Sequence, residues 1–332
     1  MYLPPIGSSS WESSTPESLG WNTSEIAALT NYLNTTNSRA FIVLKDGKIV
    51  MEYYFGKNFN GGSFTQNDLW YWASAGKTLT ATMVGIAQQE GLLSLQEPSS
   101  RYMGTGWTNL AADQEIKITV WNQITMTTGL DDGVADPDCT DKNCLVQKAE
   151  AGKRWAYHNA PYTLLDKVIE GATKQSFSVY FNTKIRDKIG MEGIWIKSGY
   201  NNVFYSTARS MARFGLLVLN KGKWGENTIL NENYYNAMIQ TSQTLNTSYG
   251  YLWWLNGKSS FMVPTLQTVF SGSIAPNAPS DMIAAMGKNG QLINVVPSKN
   301  IVVIRMGDVP DNSLVPFTYQ DEIWKYLNKI IK

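Results

Sequence analysis

Histidine is almost missing: His158 is the single copy in 332 residues, which rules out a metal site built from several imidazoles. It also leaves a Ser-His-Asp triad dependent on that one ring. No serine has glycines two positions before and two positions after it, so the nucleophile elbow of the α/β-hydrolases is absent. Gly76-Lys77-Thr78 has the ending of a phosphate loop, but Tyr71 stands where that loop needs a glycine. There is no basic run, and the formal charge of +1 comes from 28 basic and 27 acidic residues. Nucleic acid and anionic membrane surfaces are therefore not expected partners. No apolar stretch approaches the length of a membrane-spanning helix, and there are no internal repeats or low-complexity tracts.

What is present is an ordinary enzyme-like composition: 43% hydrophobic and 12% aromatic residues, enough for a large core and two lobes. Ser74 and Lys77 form the only pair in which a lysine follows a serine by three residues. Positions three apart share a helical face, so the amine can act on the hydroxyl proton and make the serine a nucleophile. Leu79, Met83, Ile86 and Ala87 keep a helical period up to Gly91, which places Ser74 in the first turn of a buried helix. The helix dipole there favours an alkoxide. A second motif, Tyr157-His158-Asn159, precedes a helix that begins near Pro161 and ends at Gly171. In an extended stretch Tyr157 and Asn159 point one way and His158 the other. His158 is accordingly read as structural. Asp131, Asp132, Asp136, Asp138 and Asp141 crowd one loop whose spacing fits no calcium pattern, and a solvated acidic loop is expected. Trp70, Tyr71, Trp72 and Trp155 are read as packing. Cys139 and Cys144 are close enough for a local disulfide in an oxidising compartment, and equally able to stay reduced.

Ser74-x-x-Lys77 followed by Tyr157-x-Asn159 resembles the serine β-lactamase and penicillin-binding-protein superfamily, in its class C-like branch. The hairpin around Asp46-Gly47, the segment Ile118–Leu130, the run Ser206–Asn220 and Tyr249–Trp254 are similar to that family in the same order. The resemblance implies an α+β fold, an antiparallel sheet flanked by helices with a mainly helical lobe beside it. Strands at 282–286, 291–296 and 301–306 and a terminal helix from about Tyr319 would complete the sheet lobe, from residues 1–68 and 262–332. Residues 69–261 would form the helical lobe carrying both motifs.

The implied chemistry is acyl transfer through a covalent intermediate on Ser74, with either Lys77 or Tyr157 as base and Asn159 orienting Lys77 or the substrate amide. The oxyanion would be held by backbone N–H groups of Ser74 and of a residue near Met286 to Lys288. No metal or organic cofactor is expected. The sequence departs from the β-lactamase pattern at the strand facing the serine, where that family carries Lys-Thr-Gly or His-Thr-Gly. Lys288-Asn289-Gly290 looks like that triplet, but Gly287 to Gly290 read as the hairpin turn, leaving apolar Met282 to Ala285 as the facing positions. The run Gly287-Lys288-Asn289-Gly290-Gln291 is similar to the turn of family VIII carboxylesterases and 6-aminohexanoate-oligomer hydrolases. The expected substrate is a small carboxylic ester or linear amide, bound near Gly287, Lys288 and Gly290. The alternatives are a β-lactamase or D-alanyl-D-alanine carboxypeptidase, and a catalytically silent binding protein on the same scaffold. The opening Met1–Trp11 has neither a basic start nor an apolar core, so no signal peptide is read in the sequence as given. The family's habit of export nonetheless leads to the expectation of a periplasmic or cell-surface protein with its leader absent from this sequence. Oligomeric state is not legible.

Overall fold

The computed structural model describes residues 1–311 and 315–331. Apolar runs rich in β-branched and aromatic residues, Ala40–Leu44 and Ile49–Met51, form the middle of β1 (Ser38–Lys45) and of β2 (Lys48–Tyr54), joined by a two-residue turn. Asp46 and Gly47 both have positive φ, 53° and 89°, the geometry that matches the natural twist of a hairpin. A short strand β3 (Trp70–Tyr71) leads into the Ser74 turn, and β4 (Gly193–Ser198) and β5 (Asn201–Ser206) make a second hairpin. The chain then returns as β6 (Trp254–Leu255), β7 (Ile283–Gly287), β8 (Gln291–Val296) and β9 (Ile301–Gly307). The main sheet runs β2-β1-β9-β8-β7-β6, and a smaller one β3-β5-β4; all pairings are antiparallel. Together with the helices this is the expected α+β arrangement.

β7, β8 and β9 are buried at every position, so both faces of the main sheet must be covered. The helix α1 (Ile26–Thr35) and the terminal helix α6 (Phe317–Ile330) lie on one side, with Trp324 Nε1 donating to Asn294 Oδ1 of β8 at 2.9 Å. Between them in sequence come α2 (Lys77–Gln89), α3 (Asn159–Thr163), α4 (Leu165–Thr173) and α5 (Ala208–Leu219). α5 packs on β9, β8 and β1. At Gly215 it comes so close that an added Cβ would lie 2.5 Å from Val302 Cγ1. Thus α5 and β6, although inside the 69–261 span, lie on the main sheet.

Candidate active site

The strand β3 ends where Trp72 N–H donates to Phe204 O of β5 at 2.8 Å. The next residue, Ala73, takes a φ of 47°, an unfavourable backbone state for a residue with a Cβ. This sharp bend turns the strand directly into a 3₁₀ turn, Ala73–Gly76, that continues as α2. Ser74 therefore sits at the head of a helix whose residues 77–87 are all buried. Lys77, one turn on, has almost no exposure, and its Nζ donates to Ser74 Oγ at 3.2 Å and to Asn159 Oδ1 at 2.8 Å.

Asn159 is the first residue of α3, after His158 in extended conformation. The alternation expected for this stretch carries Tyr157 and Asn159 to the Lys77 side: the amine lies 5.3 Å from the Tyr157 ring centroid. Tyr157 is near enough to Ser74 for a side-chain hydrogen bond. His158 is buried and faces the charges of Asp132 and Arg154 instead. Trp70, Trp72 and Trp155 are buried as packing residues, while Trp254 stacks on Tyr157 with centroids 5.7 Å apart.

Burial sets the electrostatics. Removing the Lys77 ammonium from water pulls its pKa from 10.5 down to about 7, with Asp138 opposing the shift. Burial drives the Tyr157 phenol in the other direction, well above its ordinary range, and the Ser74 hydrogen bond offsets this only in part. Near neutral pH the site therefore holds a lysine that exchanges its proton readily beside a phenol that keeps its own.

The strand facing Ser74 differs from the expectation. β7 continues through Gly287, which is extended (φ −127°, ψ 156°) and pairs with Gln291. The turn comprises only Lys288, Asn289 and Gly290. The position meeting the serine turn is therefore Gly287, not Met282 to Ala285. An added Cβ there would stand 2.4 Å from Trp72 O and 3.0 Å from Ala75 N. Lys288 is exposed. Gly290 lies behind the turn, where its added Cβ would meet Arg305 Nη1 at 2.8 Å. The Arg305 guanidinium, fully buried, donates to Asn289 O and Gly290 O and fixes the turn from the rear. Asn289 Nδ2 donates to Tyr71 Oη at 2.7 Å, tying the turn to β3.

Two side chains at the centre carried no local signal of a role. Tyr162 places its ring centroid 4.1 Å from Lys77 Nζ, where sequence periodicity marked it only as a helix residue. Asp138 Oδ1 accepts from Asn159 Nδ2 at 2.8 Å. The acidic loop is bonded rather than merely solvated: Asp131 pairs with Lys148, Asp132 with Arg154, and Asp141 accepts from the Tyr200 phenol. Cys139 and Cys144 form a disulfide with Cα atoms 5.9 Å apart. Among the described residues no group of three or more His, Cys, Asp or Glu side chains could hold a metal ion. Nor is any described helix long and apolar enough to cross a membrane.

Comparison with known structures gives the same fold. A candidate 6-aminohexanoate-dimer hydrolase from Bacillus anthracis superposes with a TM-score of 0.71 at 19% identity, over 98% of this chain and 89% of that one. A candidate beta-lactamase from Bacteroides dorei DSM 17855 gives 0.72 at 16%, over 94% and 99%. A penicillin-binding protein from Bacillus halodurans gives 0.66 at 15%, over 91% and 99%. At such identities the likeness is one of fold. The family model described as Beta-lactamase matches residues 28–308, a span that takes in every strand of the main sheet and both halves of the Ser74 site, so the chain belongs to the beta-lactamase family of β-lactamase-fold hydrolases.

Proposed function

We propose that this chain is a serine hydrolase that cleaves small carboxylic esters or linear amides through an acyl-enzyme on Ser74. The observation that carries the reading is the buried Lys77 amine 3.2 Å from Ser74 Oγ. With its pKa brought to about 7, a substantial fraction is unprotonated at neutral pH, where it accepts the Ser74 proton as Oγ attacks the substrate carbonyl. Tyr157, held as a neutral phenol by burial, is suited to relay that proton, giving its own to the leaving alcohol or amine and taking the one held by Lys77 in its place. Expulsion of that group leaves the acyl ester on Ser74. Water, deprotonated by the same pair, releases the acid and restores the hydroxyl. Backbone N–H groups of Ser74 and of the 286–288 segment are the proposed oxyanion donors. Asn159 holds the lysine.

The ester or amide preference rests on the facing strand. Gly287 brings no side chain, and Lys288 is an exposed residue of the turn rather than of the strand. A β-lactam or D-alanyl carboxylate therefore lacks a charge-assisted partner, a loss of about 1.5–3 kcal/mol or roughly ten- to a hundredfold. The likeness to a candidate 6-aminohexanoate-dimer hydrolase supports including linear amides. The disulfide supports an oxidising setting, the periplasm or cell surface.

The test is a side-by-side panel of p-nitrophenyl acetate and butyrate, a 6-aminohexanoate dimer, nitrocefin and a D-alanyl-D-alanine peptide, with fluorophosphonate labelling of Ser74. Ester or linear-amide turnover is expected, with nitrocefin and the peptide hydrolysed weakly or not at all. Ser74→Ala should abolish labelling and lower kcat by roughly 10⁴-fold or more. Efficient nitrocefin or peptide turnover without ester hydrolysis would assign a β-lactamase or carboxypeptidase. Labelling retained in Ser74→Ala would remove the serine mechanism.

A further inference from the structure

A carboxamide has two ends that differ in chemistry but hardly in shape, and something must decide which end Asn159 offers to Lys77. Its Oδ1 accepts from Lys77 Nζ at 2.8 Å, and its Nδ2 donates to Asp138 Oδ1 at 2.8 Å. A carboxylate is an acceptor only and an ammonium a donor only. Turning the amide over would set oxygen against the carboxylate, a repulsive contact whatever the state of the lysine, and N–H against the amine, repulsive whenever that amine is protonated. We propose that Asp138 is a positioning residue of the acyl-transfer machinery, which locks the Asn159 carboxamide with its oxygen toward Lys77 and so aims the amine at Ser74. The proposal rests on the serine-hydrolase reading of the site.

The loop is built to hold Asp138 still. Its backbone N–H donates to Asp136 Oδ1 at 3.0 Å. Pro137 O, one residue before, accepts from Ala160 N–H at 3.1 Å, one residue after Asn159. The loop and the head of α3 are thus joined at neighbouring positions on both chains. On the other side Cys139 begins the disulfide ring closed by Cys144, inside which Asp141 is bonded to Tyr200. None of these anchors depends on the catalytic groups.

Asp138 also acts on Lys77 by charge, favouring the ammonium against burial. The other groups facing the amine are the Ser74 hydroxyl and the phenols of Tyr157 and Tyr162, both kept neutral by burial. Asp138 itself has Asp136 beside it and acts by charge on His158, whose imidazole burial keeps neutral down to about pH 4. Through the neutral range the proton that responds to Asp138 is therefore the one on Lys77. Removing the charge lets Lys77 lose its proton at lower pH.

The experiment compares wild type, Asp138→Asn and Asp138→Ala by p-nitrophenyl acetate hydrolysis and by the rate of fluorophosphonate labelling of Ser74 from pH 5 to 10. Asp138→Ala is expected to lower kcat about tenfold or more, with KM little changed, as a residue acting through Asn159 requires. Asp138→Asn keeps the shape and an oxygen for Asn159 but no charge. It should recover part of the kcat lost in Asp138→Ala and move the acid limb of both profiles to lower pH. Should Asp138→Ala fail to fold, the isosteric variant decides alone through its acid limb. Unchanged rates and limbs in these variants, with Ser74 still labelled in wild type, would overturn the role of Asp138 and leave the serine hydrolase standing. A lowered rate with an unmoved acid limb would make Asp138 merely structural and overturn it equally. Absence of Ser74 labelling in wild type would instead remove the parent reading.

Discussion

Lys77→Met offers the sharpest test of the buried amine, because its effect on stability has a sign and a slope. In the unfolded chain the lysine keeps its proton up to about pH 10.5, whereas in the folded site it gives it up near 7. Between those values the unfolded state binds the extra proton, so the stability of the wild type rises with pH across that window. One proton corresponds to about 1.4 kcal/mol per pH unit. For a 332-residue chain the unfolding entropy is about 0.7 kcal/mol/K, so the slope appears as about 2 °C in Tm per pH unit. Methionine fills a similar volume without a titrating group and lacks this slope. Thermal unfolding of both proteins from pH 6 to 10 should find Lys77→Met at its greatest advantage at or below pH 7. The advantage should shrink by about 1.4 kcal/mol for each unit above that. Loss of the hydrogen bonds to Ser74 and Asn159 displaces the difference by a constant but does not tilt it. The wild-type kcat/KM should rise through a midpoint close to 7, reporting the same group. A stability difference that stays flat across pH 7–10, or that grows with pH, would refute the picture of an amine neutralised by burial.

Two other outcomes are expected. Gly287→Val should destroy activity and destabilise the fold by about 1–3 kcal/mol, since its Cβ would meet Trp72 O and Ala75 N; a variant with wild-type kcat and Tm, measured by ester hydrolysis and calorimetry, would contradict the close approach of β7 to the serine turn. Lys77→Ala, Tyr157→Phe and the double variant should each lose about the same activity, because groups that move one proton together are non-additive; kcat losses that multiply would mean independent roles.

The serine-lysine pair was legible because its geometry is local: three residues on one helix put the two groups in contact whatever else the chain does. Tyr157 and Asn159 were legible for the same reason, through the two-residue alternation of extended backbone. The hairpin at Asp46-Gly47 and the strands of the carboxyl-terminal half followed from short-range pattern as well. Gly287 was misread since a glycine before Lys-Asn-Gly looks like the start of a turn. In the structure it is extended and bare for a different reason, the proximity of the serine turn more than two hundred residues earlier. Asp138 was hidden in a crowded acidic loop. Its meaning depends on Asn159, twenty-one residues later, and on a loop path no local pattern specifies. Tyr162 likewise satisfied a helical period so well that its second face, toward Lys77, had no separate signature.

The pairing of β1 with β9 sets Val43 opposite Val303 and Phe41 opposite Arg305, with the whole of the Ser74 helix and the Tyr157 loop lying between them in the chain. During synthesis β1 emerges early and must wait, its hydrogen-bonding edge unmatched, until more than 250 further residues have been added. Closing so long a loop is entropically expensive and slow, and an unmatched hydrophobic strand invites association with other chains meanwhile. The nucleophile and its lysine can form their helix long before Gly287 arrives to face them. Competence for chemistry is consequently among the last properties this polypeptide acquires, reached only when its carboxyl-terminal strands have zipped onto its amino-terminal hairpin.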